Sequence, residues 1–332
     1  MQNTLKNYLD QLKIGGRQVY KNLALFPLLS NLAITLDYLT LDEALAGGLI
    51  EVTEKDKGGS VPELQVVNKS SQMVLILDGE ELVGAKQNRV VNTTILVAAN
   101  STLVIPVSCV EQGRWAYTNP RFESRERIMS ANIRANKAAQ VHENLRSSRG
   151  FKSNQGELWF DIEAKADRME ARSPSMAMSE IYEKKAANLE EYTRHFRAIE
   201  GQVGAVFLIN GKVIGLDSFS KPETFAKVFN KLIQSYALDA IDFLEPDKEI
   251  KVSKTGVSDL IKSAQSSQVE SRPSVGLGTD LRLESRKITG FALALEDQIL
   301  HLAVFAQQGS EKRSGHYSHM ARFSNRSRNR GQ

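Results

Sequence analysis

The sequence predicts an α+β fold in which a β-rich N-terminal half and a C-terminal hairpin-helix-strand half share one core, with a helical middle segment. Three observations predict it. Short apolar runs alternate with polar positions and turn residues through residue 118, the period of half-buried strands. Residues 119–200 turn polar and helix-prone. Near Gln202 the β pattern resumes around Asn210-Gly211, a pair that takes the positive φ values of a type I′ hairpin turn.

The opening MQNTLKNYLDQLKIGG is amphipathic and lacks the apolar stretch of a signal peptide. Strand candidates follow at 23–28, 33–41, 49–54, 63–68, 72–78, 92–98 and 102–110, with a short helix at Leu41–Ala46 before Gly47-Gly48. Turn clusters at Lys57-Gly58-Gly59-Ser60, Asn68-Lys69-Ser70-Ser71 and Asn100-Ser101 separate them. Most of 121–152 predicts helix, since 125–148 has neither Pro nor Gly. Loops are expected near Ser147–Gln155 and Ser173-Pro174. After the 203–219 hairpin, Ser220-Lys221-Pro222-Glu223 resembles a capping box. It opens a helix whose Phe225, Val228, Phe229, Leu232, Ile233 and Tyr236 form a face suited to docking on a sheet. A second helix at Val257–Ala264 and strands at 281–286, 288–295 and 299–305 complete the domain, 1–308, and 309–332 reads as a disordered tail. The segments 74–84 and 206–215 resemble each other; two hairpins with similar turns account for that more simply than duplication.

Composition excludes several classes. The chain has 332 residues, 41% of them hydrophobic, which suffices for a core. Cys109 is the sole cysteine, ruling out an internal disulfide or a multi-thiolate zinc site. No apolar run reaches membrane-spanning length, so a soluble cytoplasmic protein without membrane contact is expected. No histidine precedes His142, which argues against a His-ligated metal in the β-rich half. No metal is therefore assigned and no cofactor can be named.

Charge concentrates in two places. The tail holds six basic residues against Glu311, with Tyr317 and Phe323 available for stacking; it reads as a solubilising tail or an RNA-binding arm. Residues 121–152 hold eight basic residues against three acidic ones. A helix packed outside the core, with a solvated or anion-facing charged surface, is the expectation.

Two polar strings carry the candidate chemistry. LDGEELVGAKQNRVVN, Leu77 to Asn92, sits between apolar strands and places Lys86, Gln87, Asn88 and Arg89 in succession. These side chains can neutralise phosphate and offer amides to a ribose or base; otherwise the segment is a hairpin with an exposed polar connection. IPVSCVEQGRW, Ile105 to Trp115, puts Glu111, Arg114 and Trp115 just beyond a strand end. Cys109 there is either a small core residue or a nucleophile. His301, in the strand ILHLAVF, reads first as a core histidine.

At these strings, and at VGAVFLINGKVIGLDSF (203–219) and GFALALEDQILHLAVF (290–305), the chain resembles a prokaryotic family. It is the ADP-ribosylglycohydrolase and rhodanese-phosphatase-superfamily associated protein domain family, a domain of unknown function. The resemblance implies a single α+β domain and neighbours acting on ADP-ribose or phosphate. Together these readings anticipate a pocket for an ADP-ribose- or NAD-like nucleotide formed by 78–92 and 105–115. Lys86, Gln87, Asn88, Arg89, Asn92, Arg114 and Trp115 would bind, with Glu80 or Glu111 as general base. Whether the protein is an enzyme stays open. The alternative is an RNA- or DNA-binding module using 121–152 and the tail, and a third is a scaffold that docks another protein on its sheet.

Overall fold

The computed structural model describes residues 1–31, 36–55, 62–116, 119–245 and 252–307. The tail, the 57–60 turn and part of the 33–41 strand candidate lie outside them. The chain runs through α1 (Gln2–Asp10), β1 (Lys13–Ile14), β2 (Gln18–Tyr20), β3 (Leu23–Leu29), β4 (Tyr38–Thr40), α2 (Leu41–Ala46), β5 (Ile50–Glu54) and β6 (Glu63–Asn68). Next come β7 (Met73–Ile76), β8 (Glu80–Gly84), β9 (Arg89–Val91), β10 (Ile95–Val97), β11 (Ser101–Cys109) and β12 (Phe122–Ile128). The middle segment holds α3 (Ala131–Arg146), α4 (Gln155–Arg168), α5 (Met178–Lys184) and α6 (Ala186–Thr193). The C-terminal part comprises β13 (Gln202–Ile209), β14 (Lys212–Phe219), α7 (Pro222–Asp242), α8 (Lys254–Gln265), β15 (Gln268–Pro273), β16 (Thr279–Glu284), β17 (Ile288–Leu295) and β18 (Gln298–Ala306).

The largest sheet is antiparallel, in the order β1-β3-β13-β14-β18-β17-β16-β15, with β2 also on β3. Alternation along its strands gives it two apolar faces. Phe26, Val206 and Leu302 meet Leu5 and Leu9 of α1 and Leu260 of α8 on one side. Phe207, Phe219 and Phe291 meet Phe225, Leu232 and Tyr236 of α7 on the other. The Asn210-Gly211 turn joins β13 to β14 with both φ values positive, as a type I′ turn requires.

The N-terminal half makes a six-stranded antiparallel sheet, β12-β8-β9-β11-β6-β5, and a three-stranded sheet, β10-β7-β4. The six strands curl until their edges meet again at the Thr53–Arg121 bridge, a barrel-like closure that spares the chain two open edges. Ile50, Val52, Leu64, Val66, Leu82, Val91, Ile105, Val107 and Phe122 fill its interior. Leu41 and Ala44 of α2 join that core at the end where β5 begins. A capping box holds α2, Thr40 accepting from Glu43 N and Glu43 accepting from Thr40 N.

Several local expectations need correction. Residues 122–128 form β12 and the helix begins only at Ala131; its exposed polar centre carries no apolar period, and pairing with β8 supplies the hydrogen bonds. Ser220 makes no capping box: Lys221 is the N-cap of α7, and the Ser220 hydroxyl lies 3.3 Å from that of Tyr38. The 74–84 segment is no hairpin, because β7 and β8 belong to different sheets. The connection between β8 and β9 is buried rather than exposed, at Gln87 and Asn88.

The basic helix α3 does not pack outside the core. Arg134 and Lys137 are fully buried between the barrel and the large sheet. Arg134 makes a two-pronged contact with Asp217, at 2.9 and 3.2 Å, and reaches Asp78 at 3.4 Å. Lys137 donates to Asp78 and to the carbonyls of Val91 and Asn92. The helix therefore ties the two halves together through charge.

Candidate functional site

The alternation that fills the barrel with apolar side chains runs one step further at one end. After Ile50 and Val52, the next inward position on β5 is Glu54; before Val91 on β9 it is Arg89; after Ile105 and Val107 on β11 it is Cys109. Arg89 pairs directly with Cys109 across the ladder. The Arg89 Nη2 lies 3.7 Å from Glu54 Oε1, with the side chains 0% and 5% exposed. A guanidinium, a carboxylate and a thiol thus crown an apolar barrel. Beyond Glu54 the chain surfaces at Lys55, whereas Val110 and Glu111 after Cys109, and Asn88 and Gln87 before Arg89, stay buried.

One half of this cluster is saturated. Arg89 Nη1 donates to Gln87 O and Oε1, at 3.0 and 3.3 Å. The Cys109 thiol donates to Gln87 Oε1 at 3.1 Å, and Gln87 Nε2 donates to Glu111 O at 2.8 Å. Burial pushes the Cys109 thiol pKa up, with Arg89 pulling the other way; it stays protonated and lacks the thiolate of a nucleophile. Burial lowers the Arg89 pKa, and Cys109 and Glu54 oppose that. The other half is unsatisfied. Arg89 Nε and Nη2 and both oxygens of Glu54 are buried without a hydrogen-bond partner among the described residues. Native interiors rarely leave such groups unpaired, since each costs about 1–3 kcal/mol.

The two polar strings do converge, by binding each other. Arg114 grips Glu111 with Nε at 2.9 Å and Nη2 at 2.6 Å, and also donates to Ala85 O and Asn88 Oδ1. Glu111 Oε2 accepts from Asn88 N at 3.0 Å. These contacts lock the 85–88 connection over the barrel end, and so fix Gln87 and Arg89. Trp115 is half exposed at the rim, with the Lys86 ammonium 5.3 Å from its ring centroid.

Two predicted site residues lie elsewhere. Glu80 accepts from Lys231 of α7 and from Leu77 N, and Lys231 also holds Asp42. Burial raises the Glu80 pKa against the pull of Lys231. Asn92 faces outward, its Nδ2 donating to Phe151 O and its Oδ1 accepting from Ser108. Glu54 escaped the sequence reading. Its signal was a carboxylate in the apolar phase of LIEVTE.

A second buried polar cluster sits at the joint of the halves. Asp217 accepts from Arg134, from Tyr236 at 2.8 Å and from His301 Nε2 at 3.3 Å. Burial would raise the Asp217 pKa, but Arg134 and His301 hold it far below the carboxylate range. Burial lowers the His301 pKa, leaving a neutral imidazole whose Nε2–H faces the carboxylate. Its Nδ1 then accepts from Thr94 Oγ1 at 2.7 Å, and Thr94 Oγ1 accepts from Asp78 N. Hydroxyl, imidazole and carboxylate stand in a relay order, yet all three residues are at most 1% exposed.

Among the described residues no group of three or more His, Cys, Asp or Glu is arranged to hold a metal ion, and no helix is long and apolar enough to cross a membrane. A family model described as ARPP-1, the ARG and Rhodanese-Phosphatase-superfamily-associated Protein domain, matches residues 11–305. No curated protein and no solved structure matches the chain.

Proposed function

The chain belongs to the ARPP-1 domain family, and from that premise we propose that the charged end of its barrel binds an ADP-ribose- or NAD-like nucleotide. The observation that carries this reading is the unsatisfied edge of Arg89 beside the unsatisfied carboxylate of Glu54. Phosphate oxygens are strong acceptors for a guanidinium edge, and ribose hydroxyls are donors suited to a carboxylate. Gln87 and the Glu111–Arg114 pair hold Arg89 in place, which lowers the ordering cost of binding. Glu111 in this reading positions the binding residues, because its carboxylate is occupied by Arg114 and Asn88 N.

The nucleic-acid alternative gains no support from 121–152. Arg121, Arg127, Arg134, Lys137 and Arg146 are all engaged with carboxylates. Calorimetric titration with ADP-ribose, NAD and AMP tests the nucleotide reading. Saturable heat with at least one of them is expected, lost in Arg89→Gln; silence at millimolar ligand would remove it.

A further inference from the structure

The spacing of the two unsatisfied groups restricts which part of a nucleotide they can hold. Arg89 Nη2 and Glu54 Oε1 are 3.7 Å apart. That is an ion pair too long for a hydrogen bond, and both groups are buried, so a ligand fragment that bonds both must insert where the pair now meets. Such a fragment must present its acceptor and its donor on neighbouring atoms. A phosphate on C2′ or C3′ of ribose does this, because the free hydroxyl sits on the adjacent carbon. A 5′-phosphate does not, since C4′ intervenes and the group points off the ring.

The partners already made on each residue support the same division of labour. Arg89 spends Nη1 on the Gln87 carbonyl and amide oxygens, leaving Nε and Nη2 as the edge without hydrogen bonds. Two parallel N–H groups on one guanidinium edge are the fork that grips two phosphate oxygens. Glu54 retains both oxygens, as only a donor-bearing ligand can use. The apolar floor of Val52, Val107 and Val91 beneath leaves little to reward further polar groups.

Resting on the nucleotide reading above, we propose that this barrel end recognises a ribose carrying a phosphate next to a free hydroxyl, Arg89 taking the phosphate and Glu54 the hydroxyl. The ligand class is the 2′- or 3′-phosphorylated ribose, in a mononucleotide or within a larger dinucleotide. Glu54 is the specificity-determining residue.

The test is titration of the full chain with 2′-AMP, 3′-AMP, 5′-AMP, 2′-deoxy-3′-AMP and ADP-ribose, with alanine as a small zwitterion whose carboxylate and ammonium also neighbour each other. The expected result is that 2′-AMP or 3′-AMP binds at least about tenfold more tightly than 5′-AMP, a difference of about 1.4 kcal/mol. 2′-Deoxy-3′-AMP should fall back to the 5′-AMP level, and this comparison needs no variant that might misfold. Glu54→Gln should erase the preference while leaving the thermal unfolding transition in place. Equal affinities, or tighter binding of 5′-AMP, would overturn this inference while leaving the nucleotide reading intact as long as ADP-ribose or 5′-AMP binds. Binding of none of these nucleotides would overturn both, as would binding of alanine alone.

Discussion

The joint between the halves and the end of the barrel are both built from buried charge, and they are built in opposite ways. At the joint, Arg134 and Lys137 meet Asp78 and Asp217, and Tyr236, His301 and Thr94 take up further lone pairs and protons. At the barrel end, Arg89 and Glu54 form a long ion pair, and four of their polar atoms have no hydrogen-bond partner among the described residues. A saturated network can only lose by disturbance. An unsaturated one still has free energy to gain from a guest. Burial alone therefore does not distinguish the two clusters; unmet hydrogen-bonding capacity on an opposed cation and anion does.

Breaking the joint should have the largest effect. Arg134→Met leaves Asp78 to Lys137 alone and deprives Asp217 of its guanidinium, and removing one partner of a buried ion pair costs about 3–5 kcal/mol. Urea unfolding should show a large fall in midpoint, and an unchanged midpoint would mean that the joint is not a lock.

Glu81 sharpens the comparison with a carboxylate that is unsatisfied and makes no ion pair among the described residues. Both its oxygens are buried without a hydrogen bond, and burial pushes its pKa up to about 7, with Arg127 opposing. A carboxyl with a folded pKa above its unfolded value of about 4.3 favours the fold while neutral. That contribution is complete below the unfolded value and is lost as pH rises through about 7. Glu81→Gln should exceed the wild type in stability at pH 8 by up to about 3 kcal/mol, the gap closing toward pH 5. Parallel stability profiles for the two proteins would refute this.

At the barrel end the sign should reverse relative to the joint. Replacing both charges, Glu54→Leu with Arg89→Met, removes two incompletely compensated groups and should raise stability on the order of 1–3 kcal/mol while abolishing nucleotide binding. A loss of stability comparable to that of Arg134→Met would show that the two clusters are built alike after all. The smallest effect belongs to an exposed pair. Arg172, 72% exposed against Asp167, should leave the urea midpoint unchanged when replaced by Ala, because solvent screens such a pair.

Much of the fold was legible because its signals are local. The Asn210-Gly211 hairpin, the α7 face and most N-terminal strands follow from periods of two and of three to four residues. β12 was not legible, because only Phe122 and Ile128 at its ends are buried and its partner β8 is distant in sequence. For the site, the strings around Arg89 and Glu111 were visible as unusual polar density. What they do to each other was not. A finer signal was present, however: Glu54 and Arg89 occupy apolar phases of strands, and Arg134 and Lys137 lie in the buried stripe that continues through Ala138, Val141 and Leu145 on α3. A charge in phase with a core is a charge that will be buried.

The sequence by itself determined the α+β class and most strand and helix phases, since each depends on neighbours within a few residues. Only the tertiary structure decided which charges are buried and how fully each is hydrogen-bonded. Arg134 hydrogen-bonds Asp217 83 positions away, whereas Arg89 and Glu54, 35 positions apart, pair at 3.7 Å without a hydrogen bond. In a low-dielectric interior an ångström of separation changes the electrostatic balance sharply, and no pattern along the chain records that distance.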